Sequence, residues 1–387
     1  MIYKSSSPLS PYVDITIDGV EINYRYINGA ELILEENKHD LLLLKVTGIQ
    51  PKLLLDYIDV PVTFSIDSGA GRSQVFIGYV ANVEPSHKST QGFVNNSALQ
   101  EATITCVGAS YYMKGTKSAT WNPPTLSNVV NTFSKKYGFS TDYPQDTYVP
   151  NNLVQNTESD WSFLVRVSEK YGYKLSMHGT HLHIWDVAKA LGRVASYHEL
   201  VTVNNAVGAQ PCTVLEFDGV FGSLSSSGGA SSTSTSFVDN QGNTFVVSSR
   251  NSNKLNTLGK KLESPFDDFV STSALSYEEA EREVLKREKD DMPFEASAKI
   301  TAGAGIVPGG IVNLLNFNTD FDGFWYVRAV THNVYQNHYV TNLRLSKDGV
   351  YDDFVKVPAV TKLKTPPGSS LIDKSWVASV RRVNAYV

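Results

Sequence analysis

From Val13 to about Met113, apolar residues recur at every second position in short runs. Val13, Ile15 and Ile17 alternate with polar residues, Asp18-Gly19 supplies a turn, and Val20, Ile22 and Tyr24 resume the alternation, the signature of a β-hairpin. The runs VTFSID, QVFIGYVANV and EATITCVGA keep the same period, separated by SGAGRS and by a polar stretch from Pro85 to Ser97. Short strands joined by turns predict a small β-barrel. After Pro123-Pro124 the period changes. Leu126, Val129, Val130, Phe133 and Tyr137 recur at helical spacing between an N-cap at Thr125 and a stop at Gly138. A second helix starts near Thr157 or Ser159, gathers Trp161, Leu164, Val165, Ser168 and Tyr171 on one face, and ends at Gly172. Tyr173, Leu175 and Met177, a His178-Gly179-Thr180 turn, then Leu182 and Ile184 predict a hairpin packed beside the helices. The similar endings SKKYGF and SEKYGY follow from two amphipathic helices that both stop at glycine.

Downstream, SLSSSGGASSTSTS from Ser223 to Ser236 has too little apolar surface to bury and predicts a flexible linker or exposed loop. Ser276 and Glu279 form a capping box for a third helix, YEEAEREVLKREKDD. Its apolar face is thin (Ala280, Val284, Leu285), which predicts a largely solvated helix lying across a surface. From Ala296, ASAKITAG, GIVNLLNF, GFWYVRAVTHNV and YVTNLRLS restore the strand pattern and predict a second barrel. FIGYVANV, from Phe76, and GFWYVRAV, from Gly323, faintly resemble each other, and each precedes one closing strand. Val357 to Val387, with Pro366-Pro367-Gly368, Trp376 and Arg381-Arg382, reads as an arm seeking a partner. The fold class expected is mainly β with an α+β insertion, two small β-barrel domains of related fold flanking a helix-and-hairpin insertion. The expected units are a first barrel at 1–115, the insertion at 116–206, and a second barrel from 207–222 and 295–350. A Ser/Gly-rich loop with a surface helix fills 223–294, and the arm fills 351–387.

Composition narrows the function classes. With 41% hydrophobic and 19% charged residues, the chain of 387 residues has enough apolar surface to fold. Its net charge of −5 offers no basic footprint for docking along nucleic acid. Cys106 and Cys212 lie in separate strand-like runs and read as small buried hydrophobes, which suits synthesis in a reducing cytosol. The N-terminus lacks the apolar core of a signal peptide, and the longest aliphatic run, Leu41 to Leu44, is too short to span a bilayer, so no stable membrane association is expected.

Candidate chemistry is sparse. His181 and His183 would share one face of an extended strand in HGTHLH, but two ligands fall short of the three or four of a zinc site. Asp239, Asn240, Gly242 and Asn243 lack the spacing and terminal glutamate of a calcium loop and read as a hairpin turn. Gly303, Gly305, Gly309 and Gly310 match no phosphate-binding fingerprint and suit barrel turns. The pairs Asp267-Asp268 and Asp290-Asp291 read as solvated loop and helix-end acids rather than hydrolytic carboxylates. No G-x-S-x-G elbow, H-E-x-x-H helix or reactive-cysteine context occurs. No cofactor, metal or catalytic residue is expected, and the chain reads as a non-enzyme.

The stretch VQNTESDWSFLVRVSEKYGYKLSMHGTHLHIWD, Val154 to Asp186, resembles a motif of the phage late control protein D and tail baseplate hub family. Glu158, Asp160, Trp161, Phe163, Leu164, Tyr171, Gly172 and Asp186 match it. More loosely, Pro308-Gly309, the Gly-aromatic-Tyr-Val strand at Gly323, His332 and Tyr339 to Thr341 resemble the family's closing barrel. Trp161, Leu164 and Tyr171, spaced on one helix face, read as core anchors without chemistry. The resemblance implies a structural protein of the virion tail, assembled in the host cytoplasm. It implies a homotrimeric hub joining the hexameric tail tube, or a distal tail protein, to a central spike or fibre. The tape measure protein would be a further partner, and DNA would pass only in transit. The rival readings are the hub of a contractile injection system and a tail-associated protein that binds or hydrolyses cell wall.

Overall fold

The computed structural model describes residues 12–23, 26–47, 55–67, 73–88, 99–146, 148–150, 152–187, 198–201, 214–221, 232–238, 241–250, 267–269, 274, 276–290, 292, 294–301, 303–315, 317, 321–335 and 338–347. The expected class holds: the chain is mainly β, with two curled units of related fold flanking a helix-and-hairpin module. The last residues, from Val357 onward, and Cys212 lie outside the described residues.

The first unit contains β1 (Tyr12–Ile17), β2 (Val20–Glu21), β3 (Ile27–Glu35), β4 (Leu41–Thr47), β5 (Pro61–Asp67), β6 (Ser73–Lys88) and β7 (Leu99–Gly108). Asp18 and Gly19, with φ of 52° and 73°, close the predicted β1–β2 turn. The second unit contains β14 (Val214–Phe221), β18 (Phe294–Thr301), β19 (Ile311–Leu315), β20 (Gly323–Tyr335) and β21 (His338–Lys347). A short strand, β13 (His198–Val201), falls inside 116–206 and pairs in parallel with β19. The two units form one sheet in the order β14-β18-β21-β20-β3-β4-β7-β6-β5-β1-β2, because β20 pairs with β3 along Ala329–Tyr335.

Five strands of the first unit recur in the second in the same order, so that β14, β18, β21, β20 and β19 take the places of β3, β4, β7, β6 and β5. Both β3 and β14 shift register after their first residue, at Ile27/Gly29 and Val214/Glu216. Both β6 and β20 shift at the same point, Val80/Asn82 and Val327/Ala329. Val80 exchanges backbone hydrogen bonds with Asp59 and Val60, and Val327 does the same with Gly309 and Gly310. The first residue of each pair has a positive φ, 64° at Asp59 and 82° at Gly309. At Gly309 an added Cβ would come within 2.6 Å of the Trp185 ring, so glycine serves close approach as well as backbone freedom.

The alternation predicted for these strands is the alternation of burial. Leu32, Leu34, Leu42, Leu44 and Ile104 face a core that continues through Trp325, Val330 and Leu345. Each such buried side chain contributes about 2 kcal/mol by removal from water. Cys106 lies in this core, and burial pushes its thiol up to about 12, far from reactivity.

Two expectations are corrected. β6 continues through Pro85 to Lys88, where a polar connection was expected; proline is tolerated there because, among the described residues, this part of β6 pairs with β7 alone. The Ser-rich tract is not all linker. Ser232–Val238 forms β15, paired with β16 (Thr244–Arg250) and with β17 (Asp267–Phe269), which places Asp267 and Asp268 in a strand. Alternating Thr233, Thr235 and Phe237 supply its buried face, and β-branched threonine suits a half-buried strand. Gly242, with φ of 85°, lies in the β15–β16 connection, as the hairpin reading expected.

Candidate assembly surfaces

The helix-and-hairpin module is built as its pattern predicts. Helix α1 (Leu126–Tyr137) buries Leu126, Val129, Val130 and Phe133; Thr125 caps it by accepting from Asn128 N–H at 3.2 Å, and Gly138 ends it with φ of 72°. Helix α2 (Asp160–Lys170) is capped by Ser159, which accepts from Ser162 N–H at 3.0 Å. The hairpin pairs β11 (Tyr173–His178) with β12 (His181–Asp186). Parallel to β12 runs β9 (Ser140–Asp142), and β8 (Thr116–Thr120) pairs with β10 (Val154–Ser159).

The motif positions divide by what they touch. Phe163 and Leu164 are fully buried, and Phe163 stacks on Trp121 at 5.4 Å. Trp161 stacks on His39 at 4.9 Å, which docks the module onto the β3–β4 turn of the first unit. Asn37 of the same turn donates to Glu169 at 2.9 Å and pairs with the Leu175 backbone through both its own N–H and its side-chain oxygen. The Tyr171 hydroxyl accepts from Leu126 N–H at 3.1 Å and donates to the Tyr148 carbonyl at 3.0 Å, tying α1 to α2. Gly172 holds φ of 75° between α2 and β11. Asp186 is half-buried at the end of β12, opposite Tyr173. Beside it, Trp185 donates to the Tyr326 hydroxyl at 3.0 Å, and Tyr326 donates to Glu36 at 2.8 Å, which also holds Arg328 at 2.8 Å. The module therefore bonds to both units.

Asp160 is the module's buried charge. Lys136 and Tyr137 donate to one oxygen at 2.7 and 2.6 Å, Gln155 donates to the other at 2.7 Å, and Lys117 approaches at 3.3 Å. Burial alone would raise this carboxyl, yet these hydrogen bonds and the lysine charges hold it below the usual carboxylate range. Sequence matching singled out Asp160, but its four partners, from three separate elements, left no local signal.

Helix α3 (Tyr277–Asp290) lies across β15 and β16 with Ala280 and Val284 buried, and Ser276 accepts from Glu279 N–H at 3.2 Å as the capping box predicted. Its Arg282, which no pattern flagged, forms a bidentate pair with Asp146 at 2.9 and 3.0 Å and lies 4.2 Å from the Tyr148 ring. Lys170 pairs with Glu279 at 2.7 Å. The third helix is thus bolted to the module rather than merely solvated.

His181 and His183 do share a face, their rings 6.5 Å apart, but each has its own partner: Ser140 at 2.9 Å for His181 and Asp142 at 3.4 Å for His183. Among the described residues no three His, Cys, Asp or Glu side chains converge as a metal site. His332 is buried against Thr341 and Tyr339, at 3.2 and 2.9 Å, and burial pulls it down to about 3.

What the fold leaves open is its sheet edges. Among the described residues β14 has a strand partner on one side only, and β6 beyond Val80 pairs with β7 alone. Val220 and Leu215 on β14 are 63% and 48% exposed. Long unpaired edges with exposed apolar residues are surfaces on which further strands add.

The model of the family described as phage tail baseplate hub (GPD) matches residues 40–338. A tail protein from Neisseria meningitidis has the same fold, with a TM-score of 0.61 at 11% identity over 88% of this chain and 98% of its own. A 43 kDa tail protein of a Shewanella oneidensis prophage gives a TM-score of 0.60 at 11% identity over 88% of this chain and 99% of its own. An E. coli component of the type VI secretion system gives 0.55 at 9% identity over 88% of this chain and 77% of its own. No curated protein matches in sequence. With the motif, the duplicated fold and a family match across most of the length, the chain belongs to the phage tail baseplate hub family.

Proposed function

We propose that this protein is a structural hub of the virion tail, in which three copies close into a ring around a channel. The observation that carries the reading is the duplication: two units with the same strand order and the same two register shifts. Three such chains give six near-equivalent units, so one ring presents a six-fold face to a hexameric tail tube or distal tail protein and a three-fold face to a central spike or fibre. The tape measure protein and then DNA pass through the channel during ejection.

Charge supports a sheet-lined channel. Among the described side chains, the solvent face of β3, β4, β6, β7, β14, β18 and β21 carries Glu31, Glu35, Glu84, Glu101, Glu216, Asp218 and Glu295 against Lys45, Lys299 and Arg344. A wall with excess carboxylates repels phosphates and lets DNA slide without docking. In this role Trp161, Phe163, Leu164, Tyr171, Gly172 and Asp186 hold the module's shape and take no part in chemistry. The type VI relative shares the fold alone, and a hub of a contractile injection system would use the same ring.

Light scattering on the concentrated, purified protein tests the proposal. The expected mass is three times 42.6 kDa. A monomer at every concentration, alone and with the tube protein added, would overturn it.

A further inference from the structure

We propose that the ring closes by strand pairing between the two open edges, with β6 of one copy antiparallel to β14 of the next and Glu84 opposite Val220. This rests on the ring reading above and adds the seam and its register.

The template is inside the chain. Beyond the point where β19 stops, β20 pairs with β3 from Ala329 opposite Glu35 to Tyr335 opposite Gly29, and this joins the second unit to the first. In the first unit β5 takes only Ser73–Tyr79, so β6 outruns it as β20 outruns β19, yet no described strand occupies the equivalent place. The strand equivalent to β3 is β14, at the far end of the sheet. Matching Val80 to Val327 and Ile27 to Val214 carries the intrachain register across without adjustment. Val83 then lies opposite Phe221, Glu84 opposite Val220, and Lys88 opposite Glu216.

Two further observations agree. The faces match: Ala30 and Leu32 of β3 point into the core, and so do their counterparts, Phe217 against Phe317 and Trp325, and Gly219, whose added Cβ would strike Phe321 at 2.6 Å. The edges also match in exposure, since Glu84 and Val220 are both exposed and both become cross-strand neighbours on one face. Pro85 takes the position of His332 and has no N–H, so the seam between copies runs one donor short of the intrachain junction. Repeated three times, the seam covers both of these edges, which removes the hazard of two exposed strands.

The test is disulfide trapping in a Cys212→Ser background. Glu84→Cys and Val220→Cys are made separately, each checked for an unchanged melting curve, then mixed and mildly oxidised; a covalent dimer from the mixture alone is expected. The double variant should give covalent dimers and trimers, about tenfold more than the off-register Glu84→Cys/Glu216→Cys protein, whose sulfurs would be too far apart to join. A trimer by light scattering that traps equally at both pairs, or at neither, overturns the seam while the ring reading stands. A protein that is monomeric and traps nothing overturns both.

Discussion

Asp160 is the residue at which the module's stability is most exposed to change, because a fully buried carboxylate survives there only through its donors. Asp160→Asn keeps the shape but leaves Lys136 and Lys117 without their counter-charge, and should cost about 1–3 kcal/mol, read as a lower denaturation midpoint. Acid should act through the same group. The folded pKa of Asp160 is held below its unfolded value, so its stabilisation is present above the unfolded value and is lost as pH falls through the folded one. Asp146, held down by Arg282 and Tyr173 against its burial, titrates with the same sign. His178 and His332 act at higher pH: burial lowers both to about 3, so stability already declines below the ordinary histidine range as protonation of the unfolded chain begins. Melting curves should show two stages of loss, with Asp160→Asn flattening only the more acidic one. A single stage, unchanged by the substitution, would contradict this account.

Among the elements, the helices were the most legible from sequence, since Thr125, Gly138, Ser159 and Gly172 mark their ends with residues whose capping chemistry is local. The sheet of β15, β16 and β17 was not. Its first strand is written in serine and threonine, a composition shared with linkers, and only the partner strands and α3 give Thr235 and Phe237 something to bury against. Pro85 misled for a related reason: it breaks a central strand but not an edge, and edge or centre is decided by distant strands. The long-range tie of α3 was likewise invisible, because Arg282 and Asp146 are 136 residues apart. Arg282→Ala should loosen that tie without unfolding the barrels. Limited proteolysis should cut near α3 several-fold faster, while the thermal midpoint of the whole chain moves by only a few degrees. Equal cutting rates would mean the helix is held by Ala280 and Val284 alone.

At the scale of the whole molecule, the duplication could barely be read from the residues. Aligning the two units pairs Tyr79-Val80 with Tyr326-Val327, but at most other positions only the in–out alternation is shared. What recurs is geometry, the positions of two register shifts and one tight turn, and geometry of that kind tolerates almost any residue of the right polarity. Fold class and the helix-and-hairpin module were therefore recoverable from pattern and motif. The continuity of the sheet through β20 and β3 depends on pairing between residues far apart in the chain, which leaves no local signal. Under the proposed function, this duplication turns three chains into six units. Electron micrographs of the purified protein, averaged end-on, test it most directly. A three-fold ring with a central hole and six regularly spaced wall densities of similar size is expected; compact particles without a hole, or a ring whose wall divides into three unlike blocks, would overturn the proposed hub.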